Sequence, residues 1–263
     1  MPIHCDQQIE NLSTGQFREL DYRVMRYAFD SHNDLGRLAD ERIYQADMAA
    51  RLSSAGMMVH REIGLHLSHQ VFSKQLFLDL VVAESAVYEL KVVKSITEAH
   101  VGQLLTYLML LDLSHGKLIN FRSEKVESQF VNAPLDSVSR QSFRVADGKY
   151  RGDDRFHGLV VNLLRDWGTS LTLSLYSEAI VCLLGGIGVA EAMLPLHRNG
   201  VCLGKQRFQL ASPDSGFTLT AMSKNTAAYQ QQLARLIQHS PLRSIHWINI
   251  THHTVIFKTI LRN

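Results

Sequence analysis

Two acids and a lysine interrupt the apolar runs of Phe77–Val93, FLDLVVAESAVYELKVV. Side chains along a strand alternate between faces, so Glu89 and Lys91 share one face with Val87 and Val93. Asp79 lies ten residues before Glu89, with a turn expected near Glu84-Ser85. An antiparallel pairing across that turn sets the two carboxylates side by side. Neighbouring carboxylates repel, and burying them is costly unless a cation neutralises them. Mg²⁺ does this with oxygen ligands, commonly one or two carboxylates, the shell being completed by water and substrate phosphate. Lys91 beside such an ion would orient a water or hold charge on the phosphate. The chemistry implied is phosphodiester hydrolysis, with Asp79 and Glu89 as the metal ligands.

The elements that must position these residues follow from periodicity. Leu20, Val24, Tyr27 and Ala28 recur at helical intervals within about 17–32, and a second helix is expected over about 39–55, ending at Gly56. Met57–His60, Gly64–Leu67, Gln75–Val82 and Ala86–Val93 read as strands. A helix begins at Thr97, and Gln103, Leu104, Tyr107, Leu108 and Leu111 share much of one side of it. Gln103 and Tyr107, four apart, can both turn toward the strand bearing Glu89. Lys117–Phe121 makes a further strand, so a mixed α/β domain is expected over 1–134. The polar segment 135–154, with Gly148 and Gly152 and no sustained periodicity, reads as a linker. A second α/β domain is expected over 155–263. Its helices fall near 157–166, 171–184 and 227–239, its strands near Phe208–Leu210 and Phe217–Ala221, and a hairpin closes the chain.

Of the 263 residues, 46% are apolar and 20% charged, enough for a large buried core and unlike a disordered or fibrous chain. The formal charge of +2 gives no chain-wide basic field, although a local basic groove is compatible with it. The N-terminal residues lack a basic stretch followed by an apolar one, so no secretory leader is expected. The longest uncharged apolar run, Ala179–Ala190, is too short to span a bilayer. Cys5, Cys182 and Cys202 have no metal or redox spacing, which points to reduced thiols in a cytoplasm-like compartment. The 13 histidines form no zinc pattern. Gly185-Gly186-Ile187-Gly188 follows a helical segment rather than a strand and is rejected as a dinucleotide loop. Trp167 and Trp247 are expected in the core. Lys94, Lys117, Arg122 and Lys125 flank the site segments and could meet phosphates, although each singly reads better as a solvated side chain.

The two halves echo each other. Gly36 precedes Tyr44, and Gly168 precedes Tyr176, by eight residues; Gln103 precedes Asn120, and Gln232 precedes Asn249, by seventeen. This suggests a duplicated unit whose chemistry was not copied. Glu41 aligns with Leu173, Asp79 falls near Leu219, and the shorter interval that follows leaves no room for a strand matching Glu89 and Lys91. The second half is then a packing partner.

The segments LGRLADERIY, FLDLVV, YELKVV, HVGQLLTYL and LINF, in this order, resemble the GxxExxY proteins of the PD-(D/E)XK nuclease-like superfamily. The resemblance covers about 18–134. It departs from the naming motif at Leu38, where the first glycine would fall, with Gly36 just upstream. It implies a restriction-endonuclease-like mixed sheet flanked by helices, while the internal echo suggests that a degenerate second copy of the unit follows. The superfamily's acid and ExK pattern maps onto Asp79, Glu89 and Lys91, its helical acid onto Glu41, and its following helix onto Gln103 and Tyr107 as site or substrate support. The activity implied is Mg²⁺-dependent cleavage of nucleic acid, with Mn²⁺ as a substitute and DNA or RNA undecided. The rival reading is a catalytically silent module on the same fold that binds nucleic acid or protein. A purely structural role, with the second half mediating self-association, ranks third.

Overall fold

The structure is a computed structural model that describes residues 3–262. The chain divides into two units, Met1–Ser68 with Ser73–Ser137 and His69–Phe72 with Val138–Asn263.

The first unit runs β1 (Ile3–Cys5), α1 (Thr14–Leu35), α2 (Glu41–Ser54), β2 (Val59–His69), β3 (Phe72–Val82), β4 (Ala86–Lys91), α3 (Glu98–Leu110), β5 (His115–Asn120) and β6 (Glu127–Asn132). Its six strands form one sheet in sequence order. β3 and β4 are antiparallel, β4 and β5 parallel across the α3 crossover, and β5 and β6 antiparallel. Every residue of β4 is buried, as a central strand covered on both faces requires. One core lies between α1, α2 and the sheet, where Phe17, Val24, Tyr44, Met48 and Leu52 meet Leu80, Tyr88, Leu90 and Phe121.

Three details differ from the sequence reading of this unit. The strands expected at Met57–His60 and Gly64–Leu67 are one strand, β2, because Arg61 and Glu62 are charged and Glu62 takes a left-handed φ of 51° that breaks the alternation. The edge strand β6 was not anticipated, since ESQFVN has only two apolar residues. Lys117 is not a phosphate contact. It is paired in register with Tyr88, on the face opposite Glu89, where its Nζ lies 2.6 Å from Asp21 and 4.4 Å from the Phe130 ring centroid.

The second unit runs α4 (Ser137–Gln141), β7 (Arg144–Lys149), α5 (Asp154–Trp167), α6 (Leu173–Leu183), α7 (Ile187–Ala190), β8 (Glu191–Arg198), β9 (Val201–Ser212), β10 (Ser215–Thr220), α8 (Thr226–Gln238), β11 (Ser244–Ile250) and β12 (Thr254–Leu261). Its sheet has the order β7-β12-β11-β10-β9-β8. The segment 135–154 is therefore not an unstructured connection. It holds α4 and the edge strand β7, which pairs in parallel with β12 from Arg144↔Thr254 onward. An edge strand contributes one half of a ladder and, with side chains mostly in water, needs no apolar alternation. The strand expected at Phe208–Leu210 is the buried end of the longer β9. Trp167 and Trp247 are both buried.

The spacings shared by the two halves correspond to shared bonds. α1 ends on Gly36 and α5 on Gly168, each with a left-handed φ (69° and 77°) and an N–H bonded to the carbonyl four residues back. Glycine adopts this helix-ending conformation without strain. The same glycines' carbonyls accept the hydroxyls of Tyr44 and Tyr176, each at 2.5 Å. Asn120 exchanges two hydrogen bonds with the backbone of Val93, and Asn249 exchanges two with that of Met222, both across 27 residues. In each sheet the asparagine lies opposite the end of the neighbouring parallel strand, Lys91↔Asn120 and Thr220↔Asn249. This register corrects the sequence reading. The counterpart of the Glu89/Lys91 strand is not missing but is β10, with Thr218 and Thr220 at the charged positions. Phe217↔Gln209 then matches Tyr88↔Leu80, which places Phe208, not Leu219, at the position of Asp79.

Candidate active site

β4 is the axis of the site. Its alternation puts Glu89 and Lys91 on one face and Tyr88 and Leu90 on the other, against the α1/α2 core. The pairing with β3 runs through Val82↔Ala86, Val81↔Val87 and Leu80↔Tyr88. At the next position the side chain of Asp79 supplies the acceptor, its Oδ2 taking the Leu90 N–H at 2.8 Å. One carboxylate oxygen of Asp79 is thereby fixed to β4 beside Glu89.

Glu89 is 1% exposed. Its Oε1 accepts from Lys91 Nζ at 2.7 Å and from Gln103 Nε2 at 2.8 Å. Its Oε2 is buried and has no hydrogen-bond partner. A buried acceptor left unpaired costs the full desolvation of that group, so its presence calls for an explanation. Lys91 Nζ also lies 4.0 Å from Glu41 Oε1, at the first residue of α2. Glu41 stands in the first turn of that helix, where the partial positive charge of the exposed N–H groups favours an anion.

α3 supplies the far wall. Thr97 precedes it and donates its backbone N–H to His100 Nδ1 at 3.1 Å. Gln103 and Tyr107, one turn apart, face β4 together. Gln103 Nε2 donates to the Tyr107 hydroxyl at 2.9 Å as well as to Glu89. The six residues picked from the sequence, Glu41, Asp79, Glu89, Lys91, Gln103 and Tyr107, thus form one connected cluster on four elements, α2, β3, β4 and α3. His32 and His100, close in sequence to the site segments, bond to the Ser123 carbonyl and to Thr97.

The electrostatics match that geometry. Burial raises the affinity of Glu89 for a proton, the charge of Asp79 raises it further, and Lys91 only partly offsets both. Asp79 is raised for the same leading reason, burial, with Glu41 and Glu62 adding to it against the Leu90 N–H and Lys91. Lys91 is held charged despite burial, because Glu89, Asp79 and Glu41 surround it. Tyr107 is pushed up to about 12 by burial and by Glu89, so it is a neutral hydroxyl. Sequence reasoning missed Glu62, whose charge reaches Asp79 from β2. Its position depends on the β2–β3 pairing and on its own left-handed φ, and neither leaves a motif.

The donor set suits a hard divalent cation. Asp79 and Glu89 present carboxylate oxygens on one face, and Glu89 Oε2 has no partner within the protein. Among the described residues no three His, Cys, Asp or Glu side chains close around a common point. Mg²⁺ needs no more than one or two carboxylates, with water and phosphate completing the shell.

Residues 18–132 match the family model of the PD-(D/E)XK nuclease superfamily. No curated protein and no solved structure matches the chain. The matched segment spans every residue of the cluster, and the mixed sheet with flanking helices has the restriction-endonuclease-like architecture.

Proposed function

We propose that the first unit is a Mg²⁺-dependent nuclease that hydrolyses phosphodiester bonds of nucleic acid, with Mn²⁺ able to substitute. The observation that carries this is the unpartnered, buried Oε2 of Glu89 on the strand face that Asp79 adjoins. Asp79 and Glu89 would hold the ion, which would supply charge neutralisation at the phosphate and a more acidic water. Gln103 fixes the Glu89 carboxylate, and Tyr107 fixes Gln103. The Lys91 ammonium, anchored on Glu89, orients the attacking water or stabilises charge on the phosphate oxygens. Glu41, the more exposed acid of the cluster, accepts the water's proton, directly or through a second water. Water adds to phosphorus, the opposite P–O bond breaks, the departing oxygen takes a proton from solvent water, and one phosphate end and one hydroxyl end result.

Within the superfamily we assign the chain to the GxxExxY proteins. The motif's Glu is Glu41, beside Lys91. Its Tyr is Tyr44, whose hydroxyl bonds the carbonyl of Gly36 and so fixes the α1–α2 turn that delivers Glu41. The second unit is read as a degenerate copy, with Leu173, Phe208, Thr218 and Thr220 at the positions of Glu41, Asp79, Glu89 and Lys91.

The test is purified protein incubated with Mg²⁺ or Mn²⁺ on single- and double-stranded DNA and RNA. Cleavage that is lost in EDTA and in Glu89→Ala is expected; cleavage indifferent to both substitutions Glu89→Ala and Lys91→Ala sinks the assignment. A second reading, a binding module without turnover, is favoured by one observation: Lys91 is already paired with Glu89. Nucleic-acid binding that persists in EDTA with no cleavage in either metal would select it.

A further inference from the structure

Along β3 the residues that share a face with Asp79 are Phe77 and Gln75, at two-residue steps of roughly 6.6–6.8 Å. The strand changes character between them. Asp79 is buried and Phe77 is 46% exposed, although Phe77 lies only two residues from the most occluded part of the sheet. Single exposed apolar side chains are ordinary on protein surfaces. Phe77 differs from the others in its neighbours. On one side stands the acid fixed to the Leu90 N–H. On the other, the Gln75 amide lies against Gly64 of β2, where an added Cβ would come within 3.0 Å of Gln75 Nε2 and closer still to Asp6. Gly64 therefore leaves room for the Asp6 carboxylate and the Gln75 amide. The β3–β4 ladder covers only Leu80 to Val82 of β3, so Phe77 stands beyond it.

An acid that would hold the phosphate-binding ion, an aromatic ring one pleat away and an amide one pleat further form a row on one face. That order fits a nucleotide chain: phosphate, then base, then a base edge or the next phosphate. We infer that Phe77 is a stacking platform for an unpaired base next to the scissile phosphate, making the preferred substrate single-stranded or frayed nucleic acid. The bases of an intact duplex already stack on one another and cannot lie on the ring, whereas each unpaired base has a free π-face. The inference rests on the nuclease reading for the placement of the phosphate.

The full chain, Phe77→Ala and Phe77→Trp are compared on a single-stranded oligonucleotide and on a blunt duplex of the same sequence with Mg²⁺. In parallel, quenching of 2-aminopurine in the single strand is followed in EDTA. The expected result is a loss of about tenfold or more in kcat/KM for Phe77→Ala on the single strand, little change on the duplex, retention in Phe77→Trp and loss of quenching in Phe77→Ala. Equal losses on both substrates, or no loss on either, overturn the platform. If the unaltered protein cleaves neither substrate, the hydrolytic reading fails, and the quenching arm still decides the platform. Because Phe77 is exposed, unchanged thermal unfolding of Phe77→Ala is expected, which separates a binding defect from a folding one.

Discussion

Lys91 Nζ lies 2.7 Å from Glu89 Oε1, two residues along one buried strand face. The pair balances one negative charge, while Asp79 and Glu41 bring more than one lysine can offset. Without a metal, the remaining option for the buried acids is to keep a proton, and the raised proton affinities of Asp79 and Glu89 express that.

The first prediction is the pH dependence of the metal-free protein. The Glu89 carboxyl is pushed from 4.5 to about 8 and that of Asp79 from 3.8 to about 6, burial being the main cause for both. Folded-state values above unfolded ones give a contribution to stability that is complete below about pH 4. It is lost as pH rises through about 6 and then about 8. The melting temperature in EDTA is expected to fall from pH 5 to pH 8.5. Glu89→Gln, which cannot ionise, should flatten most of that slope and melt higher than the unaltered protein at pH 8.5. Stabilisation by Mg²⁺ or Mn²⁺ should grow over the same window, since the ion binds the deprotonated acids. A slope unchanged in Glu89→Gln would show that the titrating groups lie elsewhere.

A second prediction separates charge from packing at Lys91. Lys91→Met keeps the apolar stem and leaves the acids uncompensated. Proton uptake by Glu89 limits the damage, so a stability loss of about 1–3 kcal/mol at pH 8 is expected, shrinking toward pH 5. Cleavage should fall by about a hundredfold or more in kcat. Urea unfolding at the two pH values and single-turnover kinetics check the two halves. Equal destabilisation at both pH values would mean that packing, not charge, is what Lys91 contributes.

Much of this cluster was legible in the sequence because strand alternation and helix periodicity are local. Glu89 and Lys91 must share a face, Gln103 and Tyr107 must share another, and a turn after Val82 must fold Asp79 back toward Glu89. The rest depended on pairing partners far along the chain. β7 and β6 are edge strands whose side chains mostly face water, so no apolar alternation announces them. β2 read as two strands because charged Arg61 and Glu62, the latter with a left-handed φ, interrupt its apolar pattern. The β10 counterpart of β4 could be identified only from register, because Thr218 and Thr220 carry none of the charge that marks Glu89 and Lys91.

A third prediction concerns Gln103, a positioning residue that reaches the chemistry through Glu89. Gln103→Ala frees the Glu89 carboxylate and breaks the link to Tyr107. Loss of such a support is expected to lower kcat or metal affinity by about 10- to 100-fold. KM for nucleic acid should change little, and excess Mn²⁺ should recover part of the rate. A rise in KM alone, with kcat intact, would instead make Gln103 a substrate contact.

The last prediction tests whether the two halves share a structural device while only one carries the chemistry. Tyr44 and Tyr176 each donate to a helix-ending glycine carbonyl eight residues back. Removing either hydroxyl leaves a carbonyl without its donor and a ring of nearly the same shape, so Tyr44→Phe and Tyr176→Phe should each cost about 1–2 kcal/mol. Their effects on activity should diverge. Tyr44 holds the turn that delivers Glu41 to Lys91, so Tyr44→Phe is expected to lower kcat several-fold at temperatures where the protein stays folded. Tyr176 belongs to a unit that has Leu173 and Phe208 where the first unit has acids, so Tyr176→Phe should leave kcat unchanged. Chemical denaturation and cleavage assays on the two variants decide this. A matching loss of kcat in both would mean that the second unit takes part in catalysis after all.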